Sequence, residues 1–171
     1  MDDVPQRFAA LGNLDLLQRR TLAFLCSVKC PGNIILQTCD LAKRLREAGV
    51  PVIGGFHSPM ERECLRFLLR GKQPIIICPA RSLEGMRLPS DYKKPLDQGR
   101  LLLLSPFSGK LRRATVQTSL YRNRFAAALA DRFFVPYAAP TSKTEQVCRA
   151  LLVSRKRVYT GQRIAAPMIG G

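Results

Sequence analysis

Two arginines flank an asparagine near the middle of the chain, at Arg122-Asn123-Arg124. They lie inside the segment 114–130, which is typical of a helix and ends in the small apolar run 125–129, suited to packing on a sheet. We expect the three polar residues to stand at the front of that helix, where free N–H groups and the helix dipole attract anions. Two cations there oppose the dipole, which favours an anion bound among them. Solvated surface arginines are the alternative.

The charge of the chain is strongly unbalanced. Its 171 residues contain 28 Lys and Arg against 12 Asp and Glu, a net charge of +16. Between Ser105 and Arg163 stand twelve basic residues and only two acids, Asp131 and Glu145. Such an excess predicts an acidic partner, either a nucleic acid, a nucleotide or an anionic surface. A pocket enzyme needs one phosphate site, so this many cations favour a nucleic acid.

No stretch of the sequence resembles a membrane span or a secretory signal. No apolar run approaches the length of a membrane-crossing helix, and the first residues, M-D-D-V-P-Q-R, lack the basic and apolar regions of a signal peptide. We therefore expect a cytoplasmic protein with no membrane partner.

The side chains that could hold a metal or perform catalysis are few and badly spaced. None of the six cysteines forms C-x-x-C, and His57 is the single histidine. Zinc sites use close ligand pairs, so we expect no metal, no disulfide and reduced thiols in apolar segments. Neither G-x-G-x-x-G nor a P-loop is present, so no cofactor is expected. Glu61 and Glu145 fit helix caps, which leaves no complete catalytic set and favours a binding protein over an enzyme.

Short apolar runs alternate with helical segments along most of the chain. This alternation predicts a Rossmann-like α/β fold of three layers, α/β/α, around a mainly parallel sheet of at least five strands. We expect a helical extension at 1–20, one domain at 21–163 and a tail at 164–171. The predicted strands are 21–27, 50–53, 74–78, 101–104, 132–135 and 156–160.

The loops that follow the predicted strands are rich in Gly, Ser and Lys. In a parallel sheet these loops meet at the carboxyl edge, where ligands bind. Three aromatic residues, Phe107, Tyr121 and Tyr137, lie in or beside this rim, where they could stack on bases, although each also fits a core or turn, as we prefer for Phe107. The candidate phosphate-binding residues are Gly55, Ser58, Ser105, Lys110, Arg113, Arg122, Asn123, Arg124 and Lys143.

Three of these turns, taken in order, resemble the DNA-processing protein A (DprA/Smf) family. They are G-G-F-H-S-P-M-E at 54–61, the strand ending L-S-P-F at 104–107, and R-N-R at 122–124 opening an alanine-rich helix. The family shows S-G-x-A-x-G-x-D, then a strand ending in Ser-Glu, then R-N-R-I-I-A-G-L. The likeness covers roughly 22–160.

The resemblance implies an extended Rossmann-like fold that binds single-stranded DNA in a basic pocket, with the RecA recombinase as a partner during transformation. Glu61 stands where the family has Asp, and Cys26-Ser27-Val28 stands where it has G-S-R or G-T-R, so Lys29 is the candidate for the missing arginine. We expect the Rossmann-like domain alone, without the family's flanking domains. The matching residues are Gly55, Ser58, Ser105, Arg122, Asn123 and Arg124.

Two functions from different classes follow. The first is a DprA-like protein that binds single-stranded DNA or another nucleic acid and acts in DNA recombination or uptake. The second is a nucleotide-pocket protein, either a LOG-type phosphoribohydrolase or a nucleotide sensor. The LOG motif P-G-G-x-G-T-x-x-E is matched only loosely by P-T-S-K-T-E at 140–145, which weakens the enzyme hypothesis. The choice between DNA and RNA stays open, as does the oligomeric state, for which a homodimer is one arrangement.

Overall fold

The computed structural model describes residues 7–160, which form one seven-stranded sheet between two layers of helices. The strand order is β1-β5-β4-β3-β2-β6-β7, and every pairing is parallel except that of β1 with β5. The strands are β1 (Ala9–Gly12), β2 (Leu22–Phe24), β3 (Val52–Gly54), β4 (Ile75–Ile77), β5 (Leu101–Ser105), β6 (Arg132–Val135) and β7 (Arg157–Thr160). The helices are α1 (Gly32–Glu47), α2 (Pro59–Leu69), α3 (Lys93–Asp97), α4 (Val116–Leu129) and α5 (Lys143–Val153). The predicted three-layer α/β fold is confirmed.

Alternate residues of each strand feed two separate hydrophobic cores, as the period of two in a strand requires. Ala23, Ile53 and Phe133 point to the face covered by α4 and α5. Their neighbours Phe24 and Val52 point to the face covered by α1 and α2. Both faces of the central strands β2 to β5 are therefore buried, which explains why these strands are almost entirely apolar.

The alanine-rich half of α4 lies directly on the sheet. Phe125, Ala126 and Ala127 are buried in the core beneath it, as the sequence predicts. Small side chains let the helix backbone approach the strands closely.

Helix α4 begins where the segment 114–130 predicts, but the arginines do not stand at its front. Thr115 caps the helix in a capping box with Thr118, so Arg122 is the seventh residue of α4 rather than part of its first turn. The idea that Arg122, Asn123 and Arg124 stand against the positive end of the helix dipole is therefore wrong. A Thr-x-x-Thr cap begins the helix almost two turns earlier than the arginines.

The predicted N-terminal helix is also wrong within the described residues. Ala9–Gly12 is a strand paired antiparallel with β5, and Leu14–Gln18 is a short 3-10 helix. Pairing with β5 satisfies the outer backbone groups of what would otherwise be an exposed edge. Gly12 adopts a φ of 114°, which turns the chain out of the strand. The predicted tail at 164–171 lies outside the described residues, and within 7–160 no helix is long and apolar enough to cross a membrane.

Candidate functional site

A pocket of about 730 Å³ opens at the carboxyl edge of the sheet. Strand β2 is central there, with β3 on one side and β6 on the other. After β2 the chain runs through α1 to β3 on one side, and after β6 it runs through α5 to β7 on the other side. The loops after β2 and β6 therefore diverge and leave a crevice between them. The pocket lies in this crevice and is lined by Cys26, Ser27, Val28, Lys29, His57, Ser58, Glu61, Ala114, Thr115, Val116, Ser119, Arg122, Asn123, Ala139, Thr141, Ser142, Lys143 and Thr144.

Arg122 is a buried cation in the wall of this pocket, only 3% exposed. Its Nε donates to Oδ1 of Asn123 at 2.7 Å, and its Nη1 donates to the carbonyl oxygen of Cys78 at 2.9 Å. Among the described residues no acceptor meets Nη2. Burial lowers the pKa of Arg122, and nearby Glu61 and Cys78 act in the opposite direction. The guanidinium is thus held in one orientation with a free N–H group, which suits it to bind an anion.

Gly55 leaves the space that the arginine occupies. A Cβ atom built at this position would overlap the guanidinium of Arg122. Any other residue would therefore push the cation out of its place. The turn after β3 positions Arg122 by lacking a side chain.

Glu61 ties two loops of the pocket together. Its Oε1 accepts the backbone N–H of Cys26 at 2.8 Å, and its Oε2 accepts those of His57 at 2.8 Å and Ser58 at 3.2 Å. Burial raises the pKa of Glu61, whereas these three donors and Arg122 act to lower it. In the described part of the chain Glu61 and Arg122 form no direct ion pair, so the arginine keeps its free N–H group for a ligand.

The mouth of the pocket is positively charged. The pKa of His57 is lowered first by burial and then by Arg122, Arg62 and Lys143. These three cations disfavour the charged form of the imidazole, because the electrostatic potential around His57 is positive. Lys29 is exposed on the neighbouring loop and lines the same pocket.

Part of the predicted site comes together in this pocket. Ser58, Arg122, Asn123 and Lys143 line it, and Gly55 lies against the guanidinium of Arg122. Three predicted cations do not line it: Arg124 is exposed on α4, and Lys110 and Arg113 are exposed in the loop before that helix.

Ser105 is placed differently from the prediction. It is completely buried, its Oγ donates to the carbonyl oxygen of Arg81 at 2.7 Å, and it accepts the N–H of Phe107 at 3.1 Å. The hydroxyl therefore holds the chain after β5 and is closed to a ligand, so the prediction for this residue is wrong.

Sequence reasoning missed several polar residues of the pocket, among them Ser27, Ser119 and Thr144. The Oγ of Ser27 accepts the N–H of Ala139 at 2.9 Å and lies 3.1 Å from the Oγ of Ser142, so it joins the loops after β2 and β6. The sequence did show that Ser27 ends the predicted strand 21–27. This position identifies Ser27 as a pocket residue only when the order of the strands in the sheet is known.

Comparison with solved structures finds the same architecture in other proteins. DNA processing protein A (DprA) from Helicobacter pylori superposes with a TM-score of 0.76, at 20% identity, over 94% of this chain and 74% of that one. DprA from Streptococcus pneumoniae gives 0.73, at 19% identity, over 95% of this chain and 56% of that one. The fold is that of the DprA Rossmann-like domain.

The DprA-like fold covers nearly the whole chain, which in turn spans little more than half of the pneumococcal protein. A more distant likeness is to the molybdenum cofactor carrier protein of Chlamydomonas reinhardtii, with a TM-score of 0.53 and 12% identity over 83% of this chain and 75% of that one. No protein-family model and no curated protein sequence matches the chain. The likeness is thus one of fold.

Proposed function

We propose that this protein binds single-stranded DNA, or another nucleic acid, by holding a backbone phosphate on Arg122. The observation that carries the proposal is the buried guanidinium, fixed by Cys78 and Asn123, whose Nη2 has no partner among the described residues. A hydrogen bond from a guanidinium N–H to a phosphate oxygen is a strong, charge-assisted interaction. The net charge of +16 supports a polyanionic ligand. The H. pylori DprA of the same fold is described as binding single-stranded DNA.

We also propose a wider role, which the DprA-like fold supports. We place the protein in DNA recombination or uptake, in the cytoplasm, with a recombinase as a partner and a homodimer as its assembly. Six free cysteines support a reducing compartment. The recombinase is supported by the resemblance alone.

A nucleotide-pocket protein is the second candidate. The pocket volume of about 730 Å³ suits a small ligand as well as part of a strand. Glu61 and His57 line the pocket and are of residue types that can transfer a proton. Three exposed cations lie outside the pocket, namely Lys110, Arg113 and Arg124. A small ligand held in the pocket would not contact them.

A salt titration of oligo-dT binding tests the proposal, with nucleoside monophosphates as competitors. A single-strand binder gives a log–log salt slope of about −0.7 for each phosphate contacted. We expect a slope that reports several contacts and no displacement by micromolar nucleotide. A slope near zero, or displacement by a monophosphate that is then cleaved, would transfer the pocket to the second candidate.

A further inference from the structure

The solvent face of α4 presents an aromatic residue outside the pocket. Gln117, Tyr121 and Arg124 follow one another at helical spacing, and all three are exposed. Tyr121 is 42% exposed, unusually open for so large a side chain. The helix turns about 100° between Tyr121 and Arg122, so the tyrosine faces the surface beside the wall that Arg122 forms.

Tyr121 is held in place from beneath. Its ring packs on that of Phe107, with 5.6 Å between the ring centroids and 51° between the planes. Phe107 is fixed in turn, because its backbone N–H donates to the buried hydroxyl of Ser105. One side of the tyrosine ring is therefore supported while part of it stays open to solvent. Such an ordered ring loses little entropy when a ligand stacks on it.

The segment that contains this ring is rich in unpaired cations and lacks acids. The sequence contains no Asp or Glu between Asp97 and Asp131. Lys110, Arg112 and Arg113, in the loop between Phe107 and α4, are exposed, as is Arg124 on the helix, and none forms an ion pair with a described residue. Single-strand binders combine exposed aromatic rings, on which bases stack, with cations that contact the backbone, and this segment offers both.

We propose that Tyr121 is a stacking platform for a nucleobase of the strand whose phosphate is held by Arg122. The inference rests on the proposed function and names what that function leaves open, namely that the bases face α4. The occupant is an unpaired base, since a base inside a duplex has no free face. The cations of the preceding loop contact the backbone on either side of it.

Replacing Tyr121 by Ala separates stacking from charge. The affinity for oligo-dT should fall by about fivefold to about 150-fold, the range that loss of one aromatic platform produces. The salt slope should not change, because no phosphate contact is removed. An abasic oligomer of equal length should bind Tyr121→Ala as it binds the wild type, which also shows that the variant is folded.

A fluorescence measurement gives a second readout. The chain contains no Trp, so Tyr121→Trp places a single indole at the platform. Oligo-dT should quench that indole, and the abasic oligomer should not. The control is Val153→Trp, because Val153 is 85% exposed at the end of α5 and so lies at the opposite edge of the sheet. Its fluorescence should not respond to either oligomer.

The outcomes distinguish the two proposals. If wild-type protein binds oligo-dT but Tyr121→Ala binds it equally well, the stacking platform is refuted and the phosphate site stands. Equal losses for oligo-dT and the abasic oligomer also refute stacking. If wild-type protein binds neither oligomer, both proposals fail together.

Discussion

Two turns of this protein have the same sequence pattern and different surroundings. Ser58 and Ser142 each cap a helix, and each Oγ accepts the N–H of a glutamate three residues later at 3.2 Å. Glu61 then accepts three backbone N–H groups and is buried. Glu145 accepts one, from Thr141 at 2.7 Å, and pairs with an exposed Arg149 at 2.8 Å.

The difference lies in what is packed over each turn. The turn before α2 lies under Arg122 and beside the loop after β2, which supplies the N–H of Cys26 to Glu61. The turn before α5 is more open, since Thr141 is exposed and the Glu145 side chain is 29% exposed, so water can replace its contacts. S-x-x-E thus predicts a local cap in both places, while its surroundings decide whether the carboxylate also organises the site.

The largest expected effect is on stability. Glu61→Ala should lower the free energy of unfolding by about 3–5 kcal/mol, because it leaves three backbone N–H donors without their acceptor and removes the charge near Arg122. Glu145→Ala should cause a much smaller loss, since its partner Arg149 is exposed. Urea unfolding of both variants measures this. Equal losses would show that the two turns are equivalent.

The second effect is on ligand binding. Gly55→Ala should weaken oligo-dT binding by about tenfold or more, because its Cβ displaces the guanidinium of Arg122. Gly32→Ala is the matched control: an added Cβ at this residue of α1 meets nothing within 4 Å. Binding isotherms of the two variants decide the point, and indistinguishable affinities would argue against an ordered Arg122.

The smallest effect is a pH dependence at His57. Burial, Arg122, Arg62 and Lys143 hold the pKa of His57 below its ordinary 6.5 in the free protein. A bound phosphate offsets these cations and raises that pKa, so protonation and binding favour each other. Affinity for an oligomer without a terminal phosphate should therefore increase as the pH falls below 6.5. In His57→Gln this increase should be absent; its persistence there would place the titrating group elsewhere.

The fold was largely predictable because its signals are local. Strands β2 to β6 are largely apolar runs, and Ser58 and Ser142 mark the starts of their helices. The first strand was missed because Ala9–Gly12 has no pattern of its own and is specified by its pairing with β5. Taken alone, the segment fits a helix equally well, because Phe8 and Leu11 have helical spacing.

The site was predictable only in part because its key contacts join distant residues. Glu61 contacts Cys26 across 35 positions, and Arg122 contacts Cys78 across 44. Arg122 and Arg124 are equivalent in sequence, yet the helix turns one into the pocket wall and leaves the other in solvent. Which of the two arginines is buried depends only on which face of α4 packs on the sheet.

The salt dependence of oligo-dT binding by Arg122→Ala and Arg124→Ala tests the central claim most directly, after urea unfolding has shown both variants to be folded. Loss of the phosphate contact at Arg122 should weaken binding by about 10- to 150-fold and reduce the slope by about 0.7. Arg124→Ala, which removes the same charge from the same helix, should cost no more than about fivefold. Arg122→Lys, which keeps the charge without the fork, should resemble Arg122→Ala. If Arg122→Ala binds as tightly as the wild type with the same slope, the buried arginine is not the phosphate contact and the account is contradicted.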